Sequence, residues 1–436
     1  MANIGQIFSS NSNLSIGSTG QDVSNVQLSL NNRPPSDLLQ LNPDGIFGKM
    51  TDSRVREYQR NKRLDFFYKN FLGLTGGPSE LGSIQLHIVG SLAVVWVINW
   101  LIVYKDIQKG VELANKIFMP LLFVLTGVLV FWSISLEGAK IGLIAYLKPD
   151  LSKLLNFKVW TDAFGQLFFS LSLAFGIIIA YASYLPKKAD ITKSAIIICL
   201  GDTFYAVFAG LAVFATLGYM SHTTGVPLDQ IVKQGIGLAF IVYPKAIGIL
   251  PHYGQIFGAI FFLCLAIAGI TSSISIIESF TCAIIDKFPN FRRSNIVTIL
   301  CALGFLGGLI FTTGGGLFWL DIIDHFINNY ALLLVGIAEC LIAGWIAKLE
   351  PLREYINEIS QIRLRRVWDH SIRFVIPIVL GIIIYGSIRT DLTSLYGGFP
   401  MSYLIMIGLG RLVLTGVIAF ILYKLPSSEE QEFIGT

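Results

Sequence analysis

From about residue 84 onward the sequence is a succession of apolar runs of spanning length, separated by short polar loops. About twenty apolar residues cross a bilayer as a helix, and in lipid each backbone N–H and C=O must be paired within the segment. A soluble enzyme is excluded, since 53% of the 436 residues are hydrophobic and only 14% are charged. One or two ordinary cores cannot bury that much apolar surface. On the length criterion the runs number about nine, at roughly 84–104, 113–136, 163–185, 194–219, 253–286, 294–313, 322–347, 371–388 and 401–424. The 253–286 run exceeds one span and is expected to tilt or project from the membrane.

Basic residues predict the orientation. Loops on one side carry 14 Lys and Arg, including Lys187, Lys188, Lys193, Arg363, Arg365 and Arg366, and loops on the other carry 7. The richer side is expected to be cytoplasmic, with the C-terminus inside and the N-terminus outside. Residues 1–64 read differently: they are polar and rich in Asn and Ser. Met1 to Ser10 shows no basic stretch followed by an apolar one, so no signal peptide is read there. The organisation expected is a small helical head over 1–64, an extracellular loop over 65–83, a membrane domain over 84–425 and a cytoplasmic tail over 426–436. The net charge of +4 leaves no nucleic-acid footprint. Cys199, Cys264, Cys282, Cys301 and Cys340 all sit in apolar runs and read as buried thiols. No H-E-x-x-H, G-x-S-x-G or phosphate-cradling Gly-Lys-Ser/Thr motif occurs, which argues against an enzyme.

Three intramembrane features need a reason. The 163–185 run carries Gly165, Gln166, Ser170, Ser172 and Gly176 among Phe168, Phe169 and Phe175. Such a row weakens a helix and frees carbonyls for an ion, or else serves helix packing. Ala268-Gly269-Ile270-Thr271-Ser272-Ser273 offers hydroxyls with the Ala268 carbonyl one turn back. Oxygen-only donors suit a hard cation, whereas hydroxyls can also bond back to the i−4 carbonyl. Asp202, Glu278, Asp324 and Glu339 lie in or at the edges of apolar runs. A carboxylate there faces a cavity, an ion or a partner, and for Glu278 and Glu339 a structural role is equally open.

Two resemblances follow. In the head, Leu14 to Gly20 with its two glycines, Val23, Val26 and Leu30 at helical spacing, then Asp44-Gly45-Ile46-Phe47-Gly48-Lys49-Met50-Thr51 with Val55, Tyr58 and Gln59, resemble a peptidoglycan-binding-like repeat over residues 14–64. That resemblance implies cell-wall glycan as a partner, with a ligand-free three-helix spacer as the other reading. The membrane part resembles the neurotransmitter:sodium symporters. The carrying stretches are Trp160-Thr161-Asp162-Ala163-Phe164-Gly165-Gln166-Leu167-Phe168-Phe169-Ser170-Leu171-Ser172, Gly237 to Phe240 with Tyr243-Pro244, Ala268 to Ser273, Lys109 to Glu112, and Met119-Pro120.

The second resemblance implies an all-α polytopic membrane protein with a partial LeuT-type inverted-repeat fold, matching helices four to twelve of that family. It implies a sodium-coupled symporter of amino acids or related small amines, with chloride left open. Phe169, Ser170, Ser172 and Phe175 would line the substrate site, faced by Ser272 and Ile276. Ser170 and Asp202 would belong to one sodium site, Asp202 standing where the family usually has Asn. The Ala268 carbonyl, Thr271 and Ser272 would belong to a second. Asp324 and Gln166 would lie at an extracellular gate, and Asp286 and Tyr184 at a cytoplasmic one. A chain resembling only helices four to twelve is expected to be inactive alone, and a partner chain carrying the other helices would complete it. The alternative function is a non-transporting membrane anchor for a wall-binding head.

Overall fold

The computed structural model describes residues 66–105, 108–155, 157–231, 238–248, 250 and 252–425, together with Val23, Ser24, Val26 and Gln27. The chain divides into two compact units, Met1–Leu74 and Thr75–Thr436. In the first, Val23 and Val26 are helical and fully buried, while the motif residues Leu14 to Gly20, Leu30 and Asp44 to Gln59 lie outside the described residues.

The second unit is helical, and its described residues hold eight helices long and apolar enough to cross a membrane. In chain order the labelled helices are α1 Leu86–Tyr104, α2 Leu113–Ile134, α3 Ala139–Leu147, α4 Phe157–Ser170, α5 Ile177–Ser183, α6 Ile191–Thr224, α7 Tyr243–Gly248, α8 Gly254–Lys287, α9 Arg293–Gly308, α10 Gly316–Phe326, α11 Leu332–Leu341, α12 Leu349–Ile359, α13 Ile376–Thr393 and α14 Gly410–Lys424. The pairs α10 and α11, with the flanking turns, form one span over Gly316–Ile346, and α13 and α14 are the main parts of spans over Arg366–Gly398 and Met401–Lys424. The chain is therefore an all-helical, multi-pass membrane protein. Its apolar side chains face outward as well as inward: Leu86 is 81% and Phe131 74% exposed, as a surface in contact with lipid requires.

The difference from nine spans lies at 163–185. That run forms two short helices, α4 and α5, with Leu171–Phe175 non-helical between them and Gly176 capping α5. Ser172 and Ala174 take positive φ of 53° and 62°, and Gly176 takes 72°. For a residue with a Cβ this left-handed backbone costs about 1–2 kcal/mol. Contacts from elsewhere must hold it, and they come from α8.

The helices pack mainly as α3 and α2 on α6, α9 on α1, α8 on α2, α5 and α9, and α11 on α13. The α3–α6 contact is backbone on backbone. A Cβ at Gly142 would run into the Phe214 carbonyl, and one at Gly218 into the Gly142 amide nitrogen. Tyr146 stacks on Phe214 beside it, centroids 4.5 Å apart. In lipid, where no hydrophobic force drives helices together, such close approach supplies the attraction. Gly142→Leu is expected to push α3 off α6 and destabilise by about 1–3 kcal/mol or more. Thermal unfolding of the detergent-solubilised protein checks this, and an unchanged midpoint would mean that the contact carries no stability.

Two polar devices tie spans together away from the break. Glu278 of α8 is fully buried and accepts from Nη1 of Arg293 at 3.1 Å and from Nη2. Nη2 of Arg293 also donates to the Val103 carbonyl at the end of α1 at 3.1 Å. The structure thus decides the Glu278 alternatives in favour of an ion pair joining α8, α9 and α1. At the start of α6, Asp190 caps the helix through the Lys193 amide and accepts from the Gln361 amide, each at 2.9 Å. Those amides, Gln361's first, hold the Asp190 carboxyl below the usual carboxylate range.

Candidate functional site

The site grows from the break. α4 ends at Ser170 because the next residues leave helical dihedrals, and the chain re-enters a helix only after Gly176. The free backbone is braced by α8. Ser279 Oγ donates to the Phe175 carbonyl at 3.2 Å. Tyr181 of α5 donates through its hydroxyl to Ser275 Oγ at 2.8 Å, and Ser275 donates onward to the Thr271 carbonyl at 3.0 Å. Ser272, Ser275 and Ser279 recur at i, i+3 and i+7, so one face of α8 offers hydroxyls to the whole break.

A cavity of about 330 Å³ opens at this point. Its lining includes Phe169, Ser170, Ser172 and Phe175 from the break and Ser272 and Ile276 from α8. All six residues expected at a substrate site therefore share one cavity. Met119, Ile177, Thr271 and Ser275 line it as well. Of these, only Thr271 had been singled out as a site residue. Met119 sits in the Met119-Pro120 stretch of α2, and Ser275 is one turn beyond Thr271 and Ser272; those spacings were the available signal. Phe169 and Phe175 meet edge to face across the break, centroids 6.2 Å apart.

Beside the cavity, Ser170 Oγ donates to Asp202 Oδ2 of α6 at 3.0 Å. The two residues expected in one cation site are thus in contact, and Asp202 is half-buried. On α8, Thr271 Oγ1 lies 3.0 Å from both the Ile267 and the Ala268 carbonyls and donates to them. The Ala268 carbonyl and the Thr271 hydroxyl therefore share one side of the helix, and Thr271 is buried. The geometry is that of the back-bonding reading: the hydroxyl donates along its own helix to the i−4 and i−3 carbonyls.

The gate candidates are placed apart from this cavity. Asp324 of α10 accepts from Asn328 Nδ2 at 2.9 Å. Asp286, at the other end of α8, lies 3.8 Å from the Cys282 thiol, with Tyr184 beside the same cysteine. Gln166 is exposed on α4. Glu339 is exposed on α11. A further network joins α10 to α13 and was not anticipated. His325 Nε2 is 2.7 Å from Asp391 Oδ2, and Tyr330 donates to the same oxygen at 2.6 Å. Tyr396 stacks on His325 and donates to Asp321 Oδ1 at 3.0 Å. These partners are separated by some sixty residues of sequence, which no local spacing reports. No group of three or more His, Cys, Asp or Glu able to hold a metal occurs among the described residues.

Comparison with known proteins agrees with the helical pattern. The profile of the sodium:neurotransmitter symporter family matches residues 42–427. A protein of Methanocaldococcus jannaschii named as an uncharacterized sodium-dependent transporter is 45% identical over 364 residues, covering 83% of this chain and 73% of that protein. The sodium- and chloride-dependent betaine transporter of Caenorhabditis elegans is 34% identical over 318 residues, 72% of this chain and 52% of its own length. The human sodium- and chloride-dependent neutral and basic amino acid transporter B(0+) is 33% identical over 336 residues, 74% of this chain and 52% of its own. The chain thus spans about half the length of the latter two. The profile match begins inside the segment that resembles a wall-binding repeat, taking in residues 42–64.

Proposed function

The chain belongs to the sodium:neurotransmitter symporter family, and from that membership we propose that it takes part in sodium-coupled symport of a small amino acid or related amine. It is not an enzyme. The observation that carries the proposal is the cavity at the α4–α5 break, where unwound backbone, serine hydroxyls and two phenylalanines meet the hydroxyl face of α8. Its volume of about 330 Å³ sits at the small end of ligand sites and suits a solute of amino-acid size.

Sodium, the coupling ion, would be held by Ser170 and Asp202 at one place and by the Ala268 carbonyl, Thr271 and Ser272 at another. The donors fit: they are all oxygen, as a hard cation demands, and they adjoin a break whose carbonyls are not used by a helix ladder. Ser170 belongs both to the cavity wall and to the Asp202 pair, so a cation there would touch the residue that touches the solute. That shared residue gives the coupling a physical route. The relatives' names speak of betaine and of neutral and basic amino acids; we carry over the class of solute, not its identity. Asp202 would supply a fixed negative charge beside the first cation, a role that bears on the chloride requirement those names print. Asp324 with Gln166, and Asp286 with Tyr184, would stand at the outer and inner mouths. The excess of Lys and Arg on one set of loops would put the C-terminus in the cytoplasm and the N-terminus outside. Residues 42–64 are taken in by the transporter match, and no observation favours the wall-binding alternative.

Equilibrium binding of a labelled panel of amino acids and betaine to the purified, folded protein, in sodium and then in potassium, tests the reading. Binding that requires sodium is the expected result. Equal binding in both salts, or none in either, would overturn it.

A further inference from the structure

Two loops on one face of the membrane domain are locked together. The first leads into α6 and carries Lys187, Lys188 and, in its first turn, Lys193. The second follows α12 and carries Arg363, Arg365 and Arg366, where the span Arg366–Gly398 begins. Three hydrogen bonds hold them. Gln361 donates its amide to Asp190 Oδ2 at 2.9 Å, the Thr192 amide donates to Ser360 Oγ at 3.4 Å, and Tyr355 donates to the Lys187 carbonyl at 3.0 Å. Asn357 pins the second loop to α12 by bonding both the amide and the carbonyl of Leu364, at 2.6 and 2.9 Å.

The acids nearby are used up or stand apart. Asp190 spends its carboxylate on backbone amides, Asp369 pairs with Arg353 at 3.0 Å, and Glu350 pairs with Arg373 at 2.8 Å. Glu354 and Glu358 are exposed on α12. All six cations are exposed, and none forms an ion pair among the described residues. Apolar side chains stand beside them in the open: Leu352, Ile362 and Val367 are 45%, 48% and 73% exposed. Both loops enter spanning helices directly, so they lie at the membrane–water boundary. Exposed apolar residues interleaved with cations at that depth are the signature of a surface that sits on anionic lipid.

We propose that the clasp joining the 187–193 and 360–366 loops is a binding site for the phosphate headgroup of an anionic phospholipid. Arginine's planar fork suits phosphate oxygens, and the hydrogen bonds between the two loops bring the segments that carry these exposed cations together. The proposal stands apart from the transport reading, since it needs only the membrane domain and its boundary. A general excess of positive charge on one side of a membrane protein explains where the residues are; it does not explain why two distant loops are bonded into one patch.

Native mass spectrometry of the full chain in detergent, titrated with phosphatidylglycerol or with phosphatidylcholine, reads lipid retention directly and independently of any transport. Phosphatidylglycerol should be retained about tenfold more tightly, with the preference falling as salt rises. Arg363→Gln/Arg365→Gln/Arg366→Gln, all at exposed positions, should abolish the preference. Asp190→Ala keeps all six cations but releases the clasp, and should reduce the preference several-fold; Ser360→Ala, milder for folding, should shift it the same way. Equal retention of the two lipids would overturn the proposal. So would a preference unchanged in Asp190→Ala and Ser360→Ala, which would make the effect one of unorganised charge. Displacement of the lipid by inorganic phosphate at equal concentration would assign the site to the free ion and overturn the lipid assignment.

Discussion

Replacing Glu278 by alanine is expected to cost about 3–5 kcal/mol of stability, the range found when one partner of a buried ion pair is removed. The carboxylate is fully buried, and the guanidinium it faces is 20% exposed. Removing the acid takes away both charge-assisted hydrogen bonds that Arg293 makes to it at the junction of α8, α9 and α1. The reverse change, Arg293→Ala, strands the carboxylate and should cost as much. The pair replaced together, Glu278→Leu with Arg293→Met, should recover most of the loss, because packed apolar side chains of similar volume do as well as a desolvated pair. Denaturant unfolding in mixed micelles measures all three. Single substitutions that cost less than about 1 kcal/mol would mean that water reaches the pair, and the junction would then have to be held by packing alone.

Asp202→Ala is expected to weaken sodium-dependent solute binding by roughly ten- to a hundredfold, the equivalent of losing one interaction with a charged group of about 1.5–3 kcal/mol. The acid touches Ser170, and Ser170 lines the cavity, so the loss should appear as a higher sodium requirement before it appears as a lower capacity. Asp202→Asn separates two contributions, since it keeps an oxygen and removes the charge. If it restores sodium dependence but makes binding depend on chloride, the fixed charge is what Asp202 supplies. Unchanged sodium and chloride dependence in Asp202→Asn would sink the charge role, and unchanged binding in Asp202→Ala would remove Asp202 from the site.

Much of the molecule was legible in advance, for reasons that can be named. A run of about twenty apolar residues has one stable form in lipid, so positions of the spans followed from hydropathy. The break between α4 and α5 was legible as a row of Ser, Gly and Phe, because small and hydroxyl residues in a row hold a helix weakly; the positive φ at Ser172 and Ala174 was not legible, since residues with a Cβ rarely adopt it. Phe169, Ser170, Ser172, Phe175, Ser272 and Ile276 were legible through family resemblance, and they line one cavity. Three wall residues, Met119, Ile177 and Ser275, were not named as site residues: Met119 lay in a stretch that carries the resemblance and Ser275 one turn beyond Ser272, but neither position says which wall it faces, and Ile177 carries no signal at all. Hydropathy gave the 163–185 run the length of a span but is silent on whether the backbone stays helical, which is why the run counts among nine and appears as two short helices.

What the sequence by itself determined is the solvent of this protein and the order of its spans, because the cost of an unpaired backbone group or a lone charge in hydrocarbon leaves few alternatives. What only the tertiary structure decided is which polar groups meet. Glu278 reads in the sequence as an intramembrane acid with no stated partner; packing of α8 against α9 paired it with Arg293. Asp190 and Gln361 are 171 residues apart, and His325 and Asp391 are 66 apart. A hydrogen bond needs its partners within about 3 Å, and neither helical periodicity nor charge count records which turn of which helix comes to rest at that distance.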